Sequence, residues 1–119
     1  MFTIGQTAEK VGINIGAIRF YERKGLLDTV ERDSNNNCLY SDYDINWLLF
    51  IRCLRETGMS LEEIQRYYEL VKEGVGTLPE RTELVQAQRA KLLADIEEKK
   101  RQMIRLEEKL ERYYRGENY

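Results

Sequence analysis

The stretch Ile18-Arg-Phe-Tyr-Glu-Arg-Lys-Gly-Leu-Leu27 is the most informative part of the chain about its fold, because it completes a short helix and then turns the chain at a glycine. Upstream, Ala8 supplies a small side chain where two helices can cross, and Gly12 allows a turn between them. Ile18 then fixes the second helix onto the first. This spacing is typical of a helix-turn-helix, in which the second helix enters the major groove of DNA. An ordinary helical hairpin with solvated arginines is the alternative.

Helix-start and helix-stop signals recur along the rest of the chain. A capping box is a hydroxyl residue at a helix start followed three positions later by an acid or amide, with each side chain bonding the backbone N–H of the other residue. The chain has this pattern at Thr3-Ile-Gly-Gln6, Ser60-Leu-Glu-Glu63 and Thr77-Leu-Pro-Glu80, and more weakly at Ser41-Asp-Tyr-Asp44. Glycines follow four of the helical runs. These signals predict helices at 4–11, 15–24, 42–57, 61–73 and 78–114.

A short β-hairpin is predicted between the second and third helices. Two extended runs, Thr29-Val30 and Cys38-Leu-Tyr40, flank the turn-forming cluster Asp33-Ser-Asn-Asn-Asn37. Because a hairpin of this size is not stable alone, it must lean on the neighbouring helices as a wing. We therefore predict a mainly α fold: a winged helix-turn-helix over residues 1–75, with a linker and a long helix over 76–119.

The long C-terminal helix has a coiled-coil pattern. Alternate steps of four and three from Val85 reach apolar or aromatic residues except at Arg89 and Lys99. A helix over 78–114 would be about 50 Å long, so we expect it to pair with a second chain; a single amphipathic helix lying on its own domain is the alternative. The predicted dimerisation positions are Val85, Leu92, Ile96, Met103, Leu106, Leu110 and Tyr113.

Composition excludes several classes of protein. The chain has 119 residues, 34% of them charged, two cysteines and no histidine. Such a length leaves room for one core, and no nucleophile–base pair, glycine-rich phosphate loop or paired metal ligands are present, so we expect no enzyme activity, no cofactor and no metal. Without an apolar run long enough for a membrane span, or a signal pattern, a cytoplasmic protein with reduced thiols is predicted.

Charge is locally favourable for DNA although the net charge is −2. Arg19, Arg23 and Lys24 cluster on the second helix, where Glu22 opposes them. Small residues at the start of this helix permit close approach to a groove, and Arg19 and Tyr21 offer a cation and a hydroxyl to phosphates. The candidate DNA-binding residues of this helix are Asn14, Gly16, Ala17, Arg19, Phe20 and Tyr21.

These motifs resemble the MerR family of bacterial transcriptional regulators. The resemblance rests on Thr3-Ile-Gly5, Arg19-Phe-Tyr-Glu-Arg23, the hairpin ending at Tyr40 and Ser60-Leu-Glu-Glu-Ile64, and it covers essentially the whole chain. It implies a homodimer joined by an antiparallel coiled coil. Such dimers bind a pseudo-palindromic operator in double-stranded promoter DNA and distort it, so that RNA polymerase, their indirect partner, engages two badly spaced promoter elements.

The resemblance also implies DNA contacts from the wing, and here the chain departs from the family pattern. The implied wing residues are Arg32, Asn35, Asn36, Asn37 and Tyr40. Phe20 stands where the family commonly has a second tyrosine, and Asn37 and Cys38 replace a tyrosine and an arginine. The missing groups should weaken DNA binding and flatten its salt dependence, unless the asparagines supply replacement hydrogen bonds.

The sensed signal is left open by the sequence. Thiolates that family metal sensors use are absent, whereas Cys53 resembles a cysteine of the small aldehyde- and thiol-stress-responsive branch. Arg52 and Arg55 would favour its thiolate, and modification would reorient the DNA-reading heads. The alternative is an inert core thiol beside Leu49 and Phe50.

Two further alternatives concern function as a whole. A small apolar ligand would be held where Tyr67 and Tyr68 meet the partner's coiled coil, or the chain would be a coiled-coil interaction module that has lost DNA binding. Because the chain ends five residues after Tyr114, we expect no separate drug-binding domain.

Overall fold

The computed structural model describes all residues from Met1 to Tyr119 and contains five α-helices and one two-stranded sheet. The order along the chain is α1 (Ile4–Val11), α2 (Ile15–Arg23), β1 (Glu31–Arg32), β2 (Cys38–Leu39), α3 (Asp42–Glu56), α4 (Leu61–Glu73) and α5 (Leu78–Tyr114), with a 3-10 turn at Val75–Thr77. The predicted winged helix-turn-helix fold with a long C-terminal helix is confirmed. Only the ends of α2 and α3 differ from the predicted bounds, each by one residue.

Three of the four predicted capping boxes form, at Thr3, Ser41 and Ser60. The box predicted at Thr77 is wrong. Its hydroxyl donates instead to the carbonyl oxygens of Leu70 (2.6 Å) and Gly74 (2.7 Å). The 3-10 turn runs directly into α5, so Thr77 is not placed as its cap. Its hydroxyl instead binds carbonyl oxygens at the end of α4, which have no partner within that helix.

The core lies among α1 to α4 and the segment after α2. Trp47 of α3 is its largest member, and its ring stacks on Tyr68 with centroids 5.0 Å apart. The indole Nε1 donates a 2.6 Å hydrogen bond to the carbonyl oxygen of Leu26, which holds the loop after α2, the recognition helix of the predicted helix-turn-helix, against α3. Fully or almost fully buried partners include Val11, Ile18, Leu48, Ile51, Ile64 and Tyr68.

The chain forms two compact units, Met1–Arg81 and Thr82–Tyr119. The first unit continues past residue 75, where we placed the boundary of the DNA-binding domain. Polar contacts explain the difference: Arg66 pairs with Glu80 at 3.2 Å, and Arg81 donates to the carbonyl oxygen of Gly74 at 3.2 Å. The first turn of α5 is therefore tied to α4.

The second unit is helical from Thr82 to Tyr114 and exposes an apolar stripe. Each of the seven predicted dimerisation positions is exposed, from 37% for Leu92 to 68% for Leu106. Leu93 and Ile104 are also exposed but fall outside the predicted seam. Exposed apolar stripes of this length mark a surface that binds another molecule. No helix of the chain combines the length and apolar content needed to cross a membrane.

Candidate nucleic-acid interface

The start of α2 is organised by its N-cap. The side-chain oxygen of Asn14 accepts a 2.7 Å hydrogen bond from the backbone N–H of Ala17. A Cβ at Gly16 would lie 3.3 Å from this oxygen, tighter than ordinary contact. Gly16 therefore leaves room for the cap as well as for close approach to a DNA groove, and the side-chain NH2 of Asn14 is left to donate to DNA.

Basic and aromatic side chains occupy most of the rest of α2 and the position that follows it. Arg19, Arg23 and Lys24 are exposed, while Phe20 and Tyr21 are half-buried, with ring centroids 5.9 Å apart. The Lys24 ammonium lies 5.6 Å from the centroid of Phe20, within cation–π range. Phe20, which stands where the family commonly has a tyrosine, thus keeps the Lys24 ammonium near the end of α2.

The turn of the wing is built around Asp33, which sequence reasoning did not single out. Its Oδ1 accepts hydrogen bonds from the backbone N–H groups of Asn35 and Asn37, both at 2.9 Å. Asn36 adopts the left-handed region with φ 63°, which asparagine tolerates better than most residues. An aspartate opening an asparagine-rich turn was the available signal. The three asparagine side chains are left exposed.

Arg32 lies at the end of β1 and supports this turn. Its Nη1 donates to the carbonyl oxygen of Asn36 at 3.0 Å, while the side chain as a whole is exposed. One face of the guanidinium is therefore anchored and the remaining donors are available to a phosphate.

A groove of about 630 Å³ separates α2 from the wing. Arg19 and Arg23 line it from the helix and Arg32 lines it from the hairpin, together with the carboxylates of Glu22 and Asp33. The groove brings together five of the predicted DNA-binding residues: Arg19, Arg32, Asn36, Asn37 and Tyr40. Asn14, Gly16, Ala17, Phe20, Tyr21 and Asn35 are not among its lining residues.

Tyr40 does not present its side chain to DNA, which contradicts the expectation of a direct contact. It has no exposed surface, and its hydroxyl donates to a carboxylate oxygen of Glu22. Its backbone pairs with that of Phe2 through two 2.8 Å hydrogen bonds. Burial raises the pKa of Tyr40 well above its usual range, assisted by the Glu22 carboxylate and the nearby Cys38 thiol.

Cys53 is exposed on α3, so the core-thiol alternative is wrong for this chain. The two neighbouring arginines are engaged elsewhere. Arg52 contacts the carbonyl oxygen of Val11 (2.7 Å) and Glu56 (2.8 Å), and Arg55 donates to the carbonyl oxygen of Met59 (3.0 Å). Their contacts give no support to the idea that they activate the Cys53 thiol.

The aromatic pair on α4 is divided between core and rim. Tyr68 is buried against Trp47 and its hydroxyl donates to Asp28 Oδ1 at 2.5 Å, whereas Tyr67 is half-buried. Tyr68 therefore belongs to the core, and its hydroxyl holds the loop after α2.

Among all 119 residues, no group of three histidine, cysteine or acidic side chains is placed to hold a metal ion.

These features define a winged helix-turn-helix DNA-binding protein: a recognition helix and a wing face one groove, and guanidinium groups line both walls. Comparison with known proteins agrees. A family model described as MerR HTH family regulatory protein matches residues 2–70, and a second, described as MerR, DNA binding, matches residues 45–113. The chain belongs to the MerR family of transcriptional regulators and is a DNA-binding regulator rather than an enzyme.

Individual relatives extend this likeness over almost the whole chain. A helix-turn-helix-type transcriptional regulator of Haemophilus influenzae is 39% identical over 97% of this chain and 85% of its own length. The regulator AdhR of Bacillus subtilis is 34% identical over 76% of this chain and 64% of its own length.

Solved structures show the same likeness in three dimensions. The structure of HiNmlR, a MerR family regulator lacking the sensor domain and bound to promoter DNA, superposes with a TM-score of 0.89 at 40% identity, covering 95% of this chain and 86% of that one. A MerR family regulator from Listeria monocytogenes gives a TM-score of 0.88 at 34% identity, with the same coverage of 95% and 86%.

Proposed function

We propose that this protein acts in the cytoplasm as a homodimer that binds a pseudo-palindromic operator in promoter DNA and distorts it, so that RNA polymerase engages both promoter elements. The observation that carries the proposal is the groove with Arg19 on its helical wall and Arg32 on its wing wall. Guanidinium groups on opposite walls would hold successive phosphates of one backbone. The similar regulator HiNmlR was solved on promoter DNA, which supports this use of the groove.

The local charge of the groove agrees with a phosphate ligand despite the net charge of −2. Three arginines line it against two carboxylates, and each carboxylate accepts hydrogen bonds from within the chain. Glu22 accepts from Tyr40, and Asp33 accepts from the backbone of its own turn. Cations therefore outnumber carboxylates in the groove, which favours a polyanion.

The dimer follows from the apolar stripe of α5. Seven exposed apolar positions repeat with the spacing that buries a seam between two helices. A two-fold dimer would present two grooves to two half-sites of a pseudo-palindrome, as symmetric DNA-binding proteins do. DNA distortion is part of the proposal because the family resemblance implies it.

Regulation is proposed to act through the exposed thiol of Cys53. Addition of this thiol across an aldehyde carbonyl forms a C–S bond and moves the thiol proton to the carbonyl oxygen, so no further reactant is required. A route from Cys53 to the DNA-binding helices exists in the adjacent Arg52, whose guanidinium donates to the last carbonyl of α1. An adduct on Cys53 would lie beside Arg52, and displacing the Arg52 guanidinium would release the contact that joins α3 to the helix-turn-helix.

Arg19→Ala tests the DNA-binding function. We expect binding to duplexes from the protein's own promoter region to be lost or greatly weakened, and the slope of log K against log salt to fall by about one per protomer. Arg66→Ala is the matched control because Arg66 is exposed, lies outside the groove and pairs with Glu80. Fluorescence anisotropy at several salt concentrations measures both quantities.

The contrary outcomes are distinct. If wild-type protein shows no preference for any promoter fragment at low salt, the regulator proposal fails and an interaction module is favoured. If Arg19→Ala binds as tightly as Arg66→Ala, with an unchanged salt slope, the groove is not the DNA-binding surface.

A further inference from the structure

Glu22 is an unexpected residue to find in a groove that faces phosphates. It lies on α2 between Arg19 and Arg23 and lines the groove with them. A carboxylate near a DNA backbone is repelled and offsets part of the attraction of the neighbouring cations. A carboxylate at this position is therefore expected only if Glu22 makes a favourable interaction that outweighs its repulsion of the DNA backbone.

The partner of Glu22 is the buried hydroxyl of Tyr40. Tyr40 directly follows β2, the strand that pairs with β1 in the register Arg32 opposite Cys38. Its ring lies in the core, and its backbone is paired with Phe2. One hydrogen bond thus connects the recognition helix to the strand that carries the wing.

The wing depends on such attachments because its own sheet is minimal. Each strand has two residues, which is too few for a hairpin to hold its orientation in water. The wing segment 31–39 contains one cation, Arg32. Any change in the hairpin's angle to α2 therefore moves the sole guanidinium of the wing away from the phosphate it would meet.

We propose that Glu22 and Tyr40 are positioning residues: their hydrogen bond fixes the wing on the recognition helix and sets the width of the groove between Arg19 and Arg32. Neither side chain needs to touch DNA. The inference rests on the proposed DNA-binding function and names how its binding surface is held.

Tyr40 is suited to this role over the whole physiological pH range. Burial and the Glu22 carboxylate raise the pKa of its hydroxyl, which keeps the proton on the donor. Hydrogen bonds to a charged acceptor are stronger than neutral ones, and this one is partly shielded from water. The hydrogen bond between Tyr40 and Glu22 is therefore a permanent contact in this pH range rather than a pH switch.

Three substitutions test the pair on promoter duplexes. Tyr40→Phe keeps the ring in the core and removes only the donor; Glu22→Ala removes the acceptor; Glu22→Gln keeps an acceptor oxygen and removes the charge. We expect Tyr40→Phe and Glu22→Ala each to weaken binding about tenfold, because a displaced wing loses about one charged hydrogen bond, that from Arg32 to a phosphate. Glu22→Gln should bind within a few-fold of wild type, and the double variant should be no weaker than either single one.

A second measurement separates positioning from a general loss of stability. In hydroxyl-radical footprints, Tyr40→Phe should lose protection at the backbone sugars flanking each half-site, where the wing would lie, and keep it where α2 binds. Uniform weakening across the footprint would overturn the proposal. If Tyr40→Phe does not fold, as judged by circular dichroism, the comparison of Glu22→Ala with Glu22→Gln decides.

The opposite interpretation of Glu22 makes contrary predictions. If Glu22 is only a repulsive charge, Glu22→Ala and Glu22→Gln will both bind DNA more tightly than wild type, and Tyr40→Phe will be unchanged; that pattern rejects the positioning role. Failure of wild-type protein to bind any promoter duplex would instead reject the DNA-binding function itself.

Discussion

The guanidinium of Arg52 on α3 donates a 2.7 Å hydrogen bond to the main-chain carbonyl oxygen of Val11, the last residue of α1. The last carbonyls of a helix have no partner within it and carry the negative end of the helix dipole, so a cation is favoured there. The same guanidinium pairs with Glu56 at 2.8 Å. Arg52 therefore joins the helix-turn-helix to the helix that carries Cys53.

Replacing Gly12 tests this junction. Gly12 has φ 76°, and a Cβ there would collide with the Arg52 guanidinium. Gly25 has nearly the same φ, 74°, but nothing within 4 Å of its hypothetical Cβ. Urea unfolding should show a loss of about 1 kcal/mol for Gly25→Ala from the left-handed backbone alone. Gly12→Ala should lower the free energy of unfolding by about 2–3 kcal/mol, because the added Cβ also displaces the Arg52 guanidinium from the carbonyl oxygen of Val11. Equal losses would show that Arg52 moves aside freely.

Stability at acid pH should depend on Asp28. Hydrogen bonding from Tyr68 and then the Lys72 ammonium lower the pKa of this carboxyl, with burial acting in the opposite direction. A carboxyl whose pKa is lower in the folded state stabilises the fold above its unfolded pKa of about 4. This contribution is lost as the pH falls through the lower folded value.

We therefore expect Asp28→Asn to be less stable than wild type at pH 7, with the difference shrinking below about pH 4. Denaturant titrations between pH 7 and pH 2 would measure it. Asp95→Asn, at an exposed site on α5, is the control. A difference from wild type that stayed constant down to pH 2 would contradict the assignment.

Dimerisation through α5 should be sensitive to charge at the seam. Ile96→Asp places a carboxylate at a seam position that is 44% exposed in the single chain and would be buried in the coiled coil. Analytical ultracentrifugation should show monomers. Ala94→Asp adds the same charge on the helix face away from the seam and should remain dimeric. Dimers in both variants would exclude this seam as the interface.

The response to electrophiles should be confined to one thiol. Cys53→Ser should keep basal promoter binding and lose any change in binding or transcription on treatment with an aldehyde. Cys38→Ser retains Cys53 and should still respond. Mass spectrometry of treated wild-type protein should locate the adduct on Cys53. A normal response in Cys53→Ser would discard the proposed sensor.

Much of the fold could be predicted because the signals for it are local. Capping boxes at Thr3, Ser41 and Ser60 satisfy backbone groups within one helical turn, and each formed as the spacing implied. Thr77 has the same local pattern, but the end of α4 competes for its hydroxyl. Local pattern reading fails where a partner distant in the sequence, or a turn it does not anticipate, offers a better hydrogen bond.

The candidate site was predictable in part for the same reason. Arg19 lies in a recognisable helix and Arg32 in a recognisable hairpin. An exposed cation can bind a phosphate without a second residue from elsewhere in the chain, so local sequence was enough to select both. Tyr40 was misplaced because its burial depends on Phe2 and Glu22, which lie far from it along the chain. Cys53 had an apolar neighbourhood in sequence and yet points outward, because the helical phase of α3 is set by Trp47, Leu48 and Ile51.

The class of protein could be inferred from the amino-acid sequence, because helix lengths, the turn at Gly12, the wing and the apolar period of α5 follow from propensities and spacings that act over a few residues. Folding in three dimensions sets which polar groups meet in the groove, which of them bond within the chain and which are left for DNA. The hydrogen bond from Tyr40 to Glu22 joins residues 18 positions apart and that from Arg52 to Val11 joins residues 41 positions apart, and short-range pattern carries no information about which distant groups will bond to one another.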